Sequence, residues 1–206
     1  MLDTSPGPQE GSLNNPYAIA FSPAEASGVV RYAYVTNRDD QTVTVIDTQS
    51  YAVVEEIQVN SHPTGLAISK AGASKGYAYV ASREANTVQV IAPDFTVVDS
   101  IDVGDAPEGV TISGDGRFVY VANEYGDSVS VIRTSDNTVV ATVTSPDLVR
   151  PYGLTIGGKF LYVANSQNDD VAVIDINPVS GTVNTVVGTV LTSPQVYDPR
   201  SVGVWL

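Results

Sequence analysis

The chain contains no cysteine and a single histidine, His62. Without a thiol there is no disulfide framework, thiolate zinc site, cysteine nucleophile or covalently attached c-type haem, and the redox compartment is left open. One imidazole excludes any metal site that requires two. Positive charge is also scarce: 10 Lys+Arg stand against 23 Asp+Glu, giving a net charge of -13 and a sequence pI of about 4.1. A chain this acidic has no electrostatic footprint for nucleic acid or for an anionic membrane surface. No apolar run approaches the roughly 20 residues that span a bilayer. Residues 1–12 have neither the basic region nor the apolar stretch of a signal peptide.

What remains is 206 residues, 43% hydrophobic and only 16% charged, with 17 glycines and 12 prolines, the profile of a folded, turn-rich protein rather than a disordered acidic tail. Its organisation is repetitive. Pro16-Tyr-Ala-Ile-Ala-Phe-Ser, Pro63-Thr-Gly-Leu-Ala-Ile-Ser, Pro107-Glu-Gly-Val-Thr-Ile-Ser and Pro151-Tyr-Gly-Leu-Thr-Ile-Gly each open a unit, and Pro199 begins a fifth, at spacings of 47, 44, 44 and 48 residues. Each opening is followed by an aromatic-rich segment ending Tyr34-Val-Thr-Asn37, Tyr79-Val-Ala-Ser82, Tyr120-Val-Ala-Asn123 or Tyr162-Val-Ala-Asn165. A polar loop, an alternating Val-x-Val-Ile segment and a fourth apolar segment complete the unit. The segments are short, β-branched and bounded by Gly, Pro, Asn and Asp, with no helical period. Four strands in roughly 44 residues is the dimension of a propeller blade. The expected fold is therefore all-β: a β-propeller of four-stranded antiparallel blades at about 15–61, 62–105, 106–149 and 150–198. Residues 1–14 form a flexible segment, and 199–206 supply the first strand of a fifth blade. Because both faces of a blade pack on neighbours, the tyrosine and the valine of each Tyr-Val pair are expected in the core.

The Pro-x-Gly-aliphatic opening, the literal Tyr34-Val-Thr-Asn37 and the Ser/Thr-Val-Ser/Thr-Val-Ile-Asp segment resemble the YVTN-type β-propeller repeat. That family is similar to surface-layer and periplasmic seven-bladed propellers and, more distantly, to seven-bladed lactonases. The resemblance covers about residues 15 to 206 and implies an extracellular, cell-surface or periplasmic location. It departs from the family in blade number, since seven units need about 300 residues at this spacing. Three arrangements follow from that departure: a piece of a larger or split propeller, self-association through the open edge and strand 202–206, or a closed four-bladed monomer.

Loops leading into each first strand and loops between second and third strands open on one face around the central channel, where function is expected. They present Tyr17, Arg38, His62, Arg83, Glu108, Tyr125, Arg150 and Tyr152, which we assign as ligand-binding residues. Arginines beside aromatics suit a carboxylate, sugar or peptide; the competing reading pairs Arg38, Arg83 and Arg150 locally with Asp39, Glu84 and Asp147. His62 is of a type that serves as general base or haem or metal ligand, and here reads as an exposed turn residue. Asp39-Asp40 and Asp169-Asp170 supply oxygen ligands for calcium without an EF-hand pattern, and read as turn chemistry. Asn37, Asn123 and Asn165 read as turn residues bonding their own backbone, with Ser82 a weaker version. No serine-nucleophile elbow is present. The sequence thus points to a non-catalytic interaction or ligand-binding propeller with no catalytic residue, metal or cofactor and a protein or small molecule as partner. A lactonase-like or cofactor-dependent enzyme is the alternative.

Overall fold

The computed structural model describes residues 13–191 and Arg200. Sixteen strands make four antiparallel four-stranded sheets, each formed by consecutive strands. Blade 1 comprises β1 (Pro16–Phe21), β2 (Tyr32–Asn37), β3 (Thr42–Asp47) and β4 (Val53–Gln58); blade 2 comprises β5 (Pro63–Ile68), β6 (Ala78–Ser82), β7 (Thr87–Ile91) and β8 (Val97–Asp102). Blade 3 contains β9 (Pro107–Ile112), β10 (Phe118–Asn123), β11 (Ser128–Arg133) and β12 (Thr138–Thr144), and blade 4 contains β13 (Pro151–Gly157), β14 (Phe160–Asn165), β15 (Asp170–Asp175) and β16 (Thr185–Leu191). The expected fifth strand at 199–206 and most of the amino-terminal segment lie outside the described residues.

The core is three interblade seams. Tyr34, Val43 and Val45 of blade 1 meet Leu66, Ile68 and Val80 of blade 2. Tyr79, Val88 and Val90 of blade 2 meet Val119, Val121 and Ile132 of blade 3. Tyr120, Val129 and Val131 of blade 3 meet Leu161, Val163 and Ile174 of blade 4. In the first three blades the tyrosine of the Tyr-Val pair therefore faces the following blade, and in the last three the valine faces the preceding one. Tyr162, in the last blade, is only half-buried. Innermost strands stack β1 on β5, β5 on β9 and β9 on β13. Among the described residues β13 has no comparable packing on β1.

The Pro-x-Gly opening is what lets the innermost strands approach. A bulge at this point shifts the register between β5 and β6 after Pro63 and between β13 and β14 after Pro151. A Cβ on Gly65 would strike the carbonyl oxygen of Glu108, and one on Gly109 would strike that of Tyr152. Glycine stands there because the next blade's backbone occupies the space.

Every blade also carries three non-glycine residues in the left-handed region: Asn15, Gln41 and Tyr51; His62, Asn86 and Phe95; Ala106, Asp127 and Asn137; Arg150, Asp169 and Asn184. The first of each set precedes the opening proline, whose ring disfavours the right-handed helical conformation at that residue. Its carbonyl accepts a hydrogen bond from the backbone of Arg38, Arg83, Glu124 or Ser166 respectively, the residue just past β2, β6, β10 or β14. The same backbone corner is thus built four times.

The asparagines that end β2, β10 and β14 are structural, but by a different bond from the expected one. Asn37 Nδ2 donates to Thr42 and Thr44, Asn123 Nδ2 to Ser128 and Ser130, and Asn165 Nδ2 to Asp170. Each amide ties its strand to side chains of the next strand rather than to its own backbone. Ser82, too short to reach across, is buried with no partner for its hydroxyl among the described residues.

Candidate functional site

Tyr17, Glu108 and Tyr152 follow the opening prolines of blades 1, 3 and 4, so their side chains project from β1, β9 and β13 into the mouth of the channel. They converge there. The Tyr17 hydroxyl donates to Glu108 Oε2 at 2.9 Å and also touches the Tyr152 hydroxyl. Glu108 Oε1 accepts from Arg83 Nε at 2.8 Å, while Arg83 Nη2 donates to Glu124 at 2.6 Å. The Glu108 side chain is 2% exposed and that of Arg83 14%, so this pair is removed from bulk water. Burial pushes the Glu108 carboxyl above the usual carboxylate range; the Tyr17 hydrogen bond and the Arg83 charge draw it back only in part. Burial likewise raises the Tyr17 hydroxyl, assisted by Tyr152 and Glu108.

The arginines reach across blades instead of pairing with their sequence neighbours, which overturns the local-pair reading. Arg83 bonds Glu108 and Glu124, not Glu84. Arg38 lies 5.5 Å from the Tyr17 ring centroid and forms no ion pair with Asp39, which accepts from Asn15 instead. Arg150 approaches Glu124 at 3.9 Å, not Asp147. The Tyr125 ring holds two guanidinium groups, Arg83 at 4.6 Å and Arg150 at 4.9 Å, and Arg200 lies 5.3 Å from the Tyr152 ring. Four of the seven arginines therefore gather on tyrosines at one face of a strongly acidic protein. His62, with its side chain 34% exposed, lies at the rim, where Nδ1 meets Glu84 at 2.8 Å. The Ser61 hydroxyl, then His62, hold the Glu84 carboxyl below its usual range.

All eight residues singled out from the sequence sit at this mouth, seven of them in one connected network of hydrogen bonds, ion pairs and ring contacts, with His62 on Glu84 beside it. Glu124 was missed as an individual. It occupies the repeat position of Arg38 and Arg83, and its role depends on where Arg83 points, which spacing does not reveal. No group of three histidine, aspartate or glutamate side chains forms a metal-binding arrangement among the described residues.

Opposing carboxyl shifts set the pH response. The raised Glu108 binds its proton more tightly when folded, so stability falls as pH rises from the ordinary carboxylate value through the raised one. Asp47 is held low by the backbone N–H groups of Ser50 and Gln49, and Asp175 by Ser180 and Thr182. Their stabilisation is present above the ordinary aspartate value and is lost as pH falls through the lowered ones. Calorimetry across pH is expected to find a melting maximum in mildly acidic solution. Glu108→Gln should remove only the decline on its alkaline side; an unchanged alkaline slope would contradict the assignment.

Comparison with known structures bears on the fold. Hydrazine synthase of Kuenenia stuttgartiensis superposes with a TM-score of 0.73 at 24% identity, over 92% of this chain and 52% of that one. A functionally unknown protein of Desulfotomaculum acetoxidans DSM 771 gives 0.71 at 23% identity, over 91% and 60%. Virginiamycin B lyase from Staphylococcus aureus gives 0.65 at 19% identity, over 80% and 53%. The chain thus spans between half and three-fifths of the length of these similar structures. No curated protein matches it in sequence. A sequence model does match residues 16–197, through all four blades and both sides of the channel mouth, and it is that of the propeller group to which the repeat bore the more distant resemblance. The chain accordingly belongs to the lactonase family of seven-bladed β-propellers.

Proposed function

We propose that the channel mouth binds a small anionic, hydroxyl-bearing ligand without transforming it. The observation that carries this reading is the division of labour among the arginines. All three lie against tyrosine rings, but Arg83 is held by two carboxylates at 2.8 and 2.6 Å and acts as scaffold, whereas Arg150 has only the longer 3.9 Å approach to Glu124 and Arg38 no ion pair among the described residues. Their guanidinium edges are placed for an incoming carboxylate or phosphate, and guanidinium groups recognise such anions through paired N–H donors. Tyr17, Tyr125 and Tyr152 supply hydroxyls and ring faces for the ligand body, as in sugar-acid recognition.

A second reading is supported by Glu108 and by family membership: hydrolysis of a cyclic ester. A buried carboxyl with a raised pKa, bonded to a tyrosine hydroxyl and flanked by arginines, has the properties of a general base for water attack on a lactone carbonyl. Arginine N–H groups would then meet the developing oxyanion. One experiment separates the two. The full chain is titrated calorimetrically with gluconate and assayed against gluconolactone. Saturable gluconate binding, weakened about tenfold by Arg150→Met, with no hydrolysis above the solvent rate, is expected. Hydrolysis abolished by Glu108→Gln would establish the second reading, and neither binding nor turnover would remove both.

A further inference from the structure

On the face opposite the channel mouth, the seams between blades are closed differently. The turn joining β5 to β6 packs onto the turn joining β9 to β10: Ser74 Oγ donates to the Gly116 carbonyl at 2.8 Å, and a Cβ on Gly116 would strike the Ala71 carbonyl. The turn joining β13 to β14 is only Gly158-Lys159, against the five residues Ser113-Gly-Asp-Gly-Arg117 in blade 3. The shorter turn leaves room over the seam between blades 3 and 4, and a cavity of about 340 Å³ opens there. That volume falls within the range of small-molecule sites.

Phe118, Ile156 and Ile176 supply the apolar part of the lining together with the Tyr120 ring, and Ser113, Asp115, Arg117, Lys159 and Asn177 the polar part. Tyr120 is 3% exposed, yet its hydroxyl has no hydrogen-bond partner among the described residues and feels the charges of Asp115 and Arg117, both of which line the cavity. Burial pushes this hydroxyl up to about 12, so at neutral pH it stays a neutral O–H available to a molecule in the cavity. Two cations stand at the rim. Arg117 is bonded to Asp115 at 2.6 Å, whereas Lys159 has no ion pair among the described residues. Asp175, the carboxylate nearest in influence to Lys159, is engaged by Thr182 and by the Asn177 backbone. The cavity therefore offers a partly apolar slot, a tyrosine hydroxyl that bonds no protein group among the described residues and, at its rim, one cation with no ion pair among them.

We propose that this cavity is a second binding site, for a small carboxylate with an apolar or aromatic body. The body lies against Phe118, Ile156 and Ile176, and the anion meets the Lys159 ammonium and the Tyr120 hydroxyl. The assignment is independent of the channel reading, since no residue is shared.

The test uses the full isotopically labelled chain, titrated with sodium benzoate and separately with its neutral counterpart benzamide, followed by heteronuclear NMR. Benzoate is expected to shift the amide signals of Gly114, Phe118, Gly158 and Lys159 saturably, with benzamide at least about tenfold weaker. Lys159→Met, at an exposed turn position, should weaken benzoate about tenfold without altering benzamide. Tyr120→Phe should weaken benzoate while leaving the melting temperature within a few degrees. Arg38→Met and Arg150→Met should leave the benzoate-dependent shifts of Gly114, Phe118, Gly158 and Lys159 in place, since neither arginine lines the cavity. Absence of saturable shifts, shifts confined to the channel mouth, or benzoate binding indifferent to both Lys159→Met and Tyr120→Phe would each overturn the proposal.

Discussion

Replacing Arg83 with methionine is expected to cost about 3–5 kcal/mol of folding stability and to lower the melting temperature by roughly 10 °C. Methionine retains most of the stem's packing but withdraws the cation from Glu108, whose side chain is 2% exposed. The carboxylate is then left in a poorly solvated site with the Tyr17 hydroxyl as its remaining donor. The size of the effect follows from burial rather than from the presence of an ion pair. Arg117 and Asp115 are as close, at 2.6 Å, yet are 63% and 48% exposed, and Arg117→Met should cost under about 1 kcal/mol. Denaturant unfolding of the two variants side by side makes the comparison. The Arg83→Met deficit should shrink on acidification, as Glu108 takes up a proton, and in the double variant with Glu108→Gln. Equal small losses at both arginines would mean that water reaches the channel pair.

Gly109→Ala is expected to be of similar severity for a steric reason. The added methyl is directed at the Tyr152 carbonyl of the neighbouring innermost strand, a backbone atom that moves only if blades 3 and 4 separate. Overpacking of this kind costs up to about 3 kcal/mol where a side chain can yield, and more where backbone must. The control is Gly181→Ala, where an added Cβ meets nothing. Thermal unfolding should show a loss of roughly 10 °C for Gly109→Ala and nearly none for Gly181→Ala. A tolerated alanine at 109 would show that the innermost strands are not held at this distance.

Much of the fold was legible because the same short message is written four times. The ends read for the aromatic-rich segments, Asn37, Ser82, Asn123 and Asn165, are the last residues of β2, β6, β10 and β14. Aligned repeats fix strand ends better than any single segment does. That the tyrosine and valine of a pair lie on opposite sides of the strand was legible too, from the alternation of side chains; which blade each side meets came only with the structure. Contacts between blades were not. Glu108 and Glu124 lie far from Arg83 in sequence, so the acidic residue that looked like its partner, Glu84, was the adjacent one; the structure gives Glu84 to His62 and Ser61. The bonds of Asn37 and Asn123 went astray for a related reason. A short amide next to a turn suits an Asx bond, but antiparallel pairing brings strand-mate hydroxyls just as near. The open seam over Phe118 was written in the length of the Gly158-Lys159 turn, which acquires meaning only once blade 4 is seen to follow blade 3.

The left-handed corner before each opening proline has a consequence for how such a site can change. At Asn15, His62, Ala106 and Arg150 the backbone does the same work, bending the chain and bonding its carbonyl to the end of the neighbouring strand, whatever side chain is attached. A left-handed residue with a Cβ costs roughly 1 kcal/mol relative to glycine, less for asparagine and more for a β-branched side chain, and none of the four corners carries a β-branched one. The four corners are therefore interchangeable sockets around one opening. An amide, an imidazole, a methyl and a guanidinium occupy them here, and exchanging these groups rewrites the charge and shape of the mouth without asking the blades to refold.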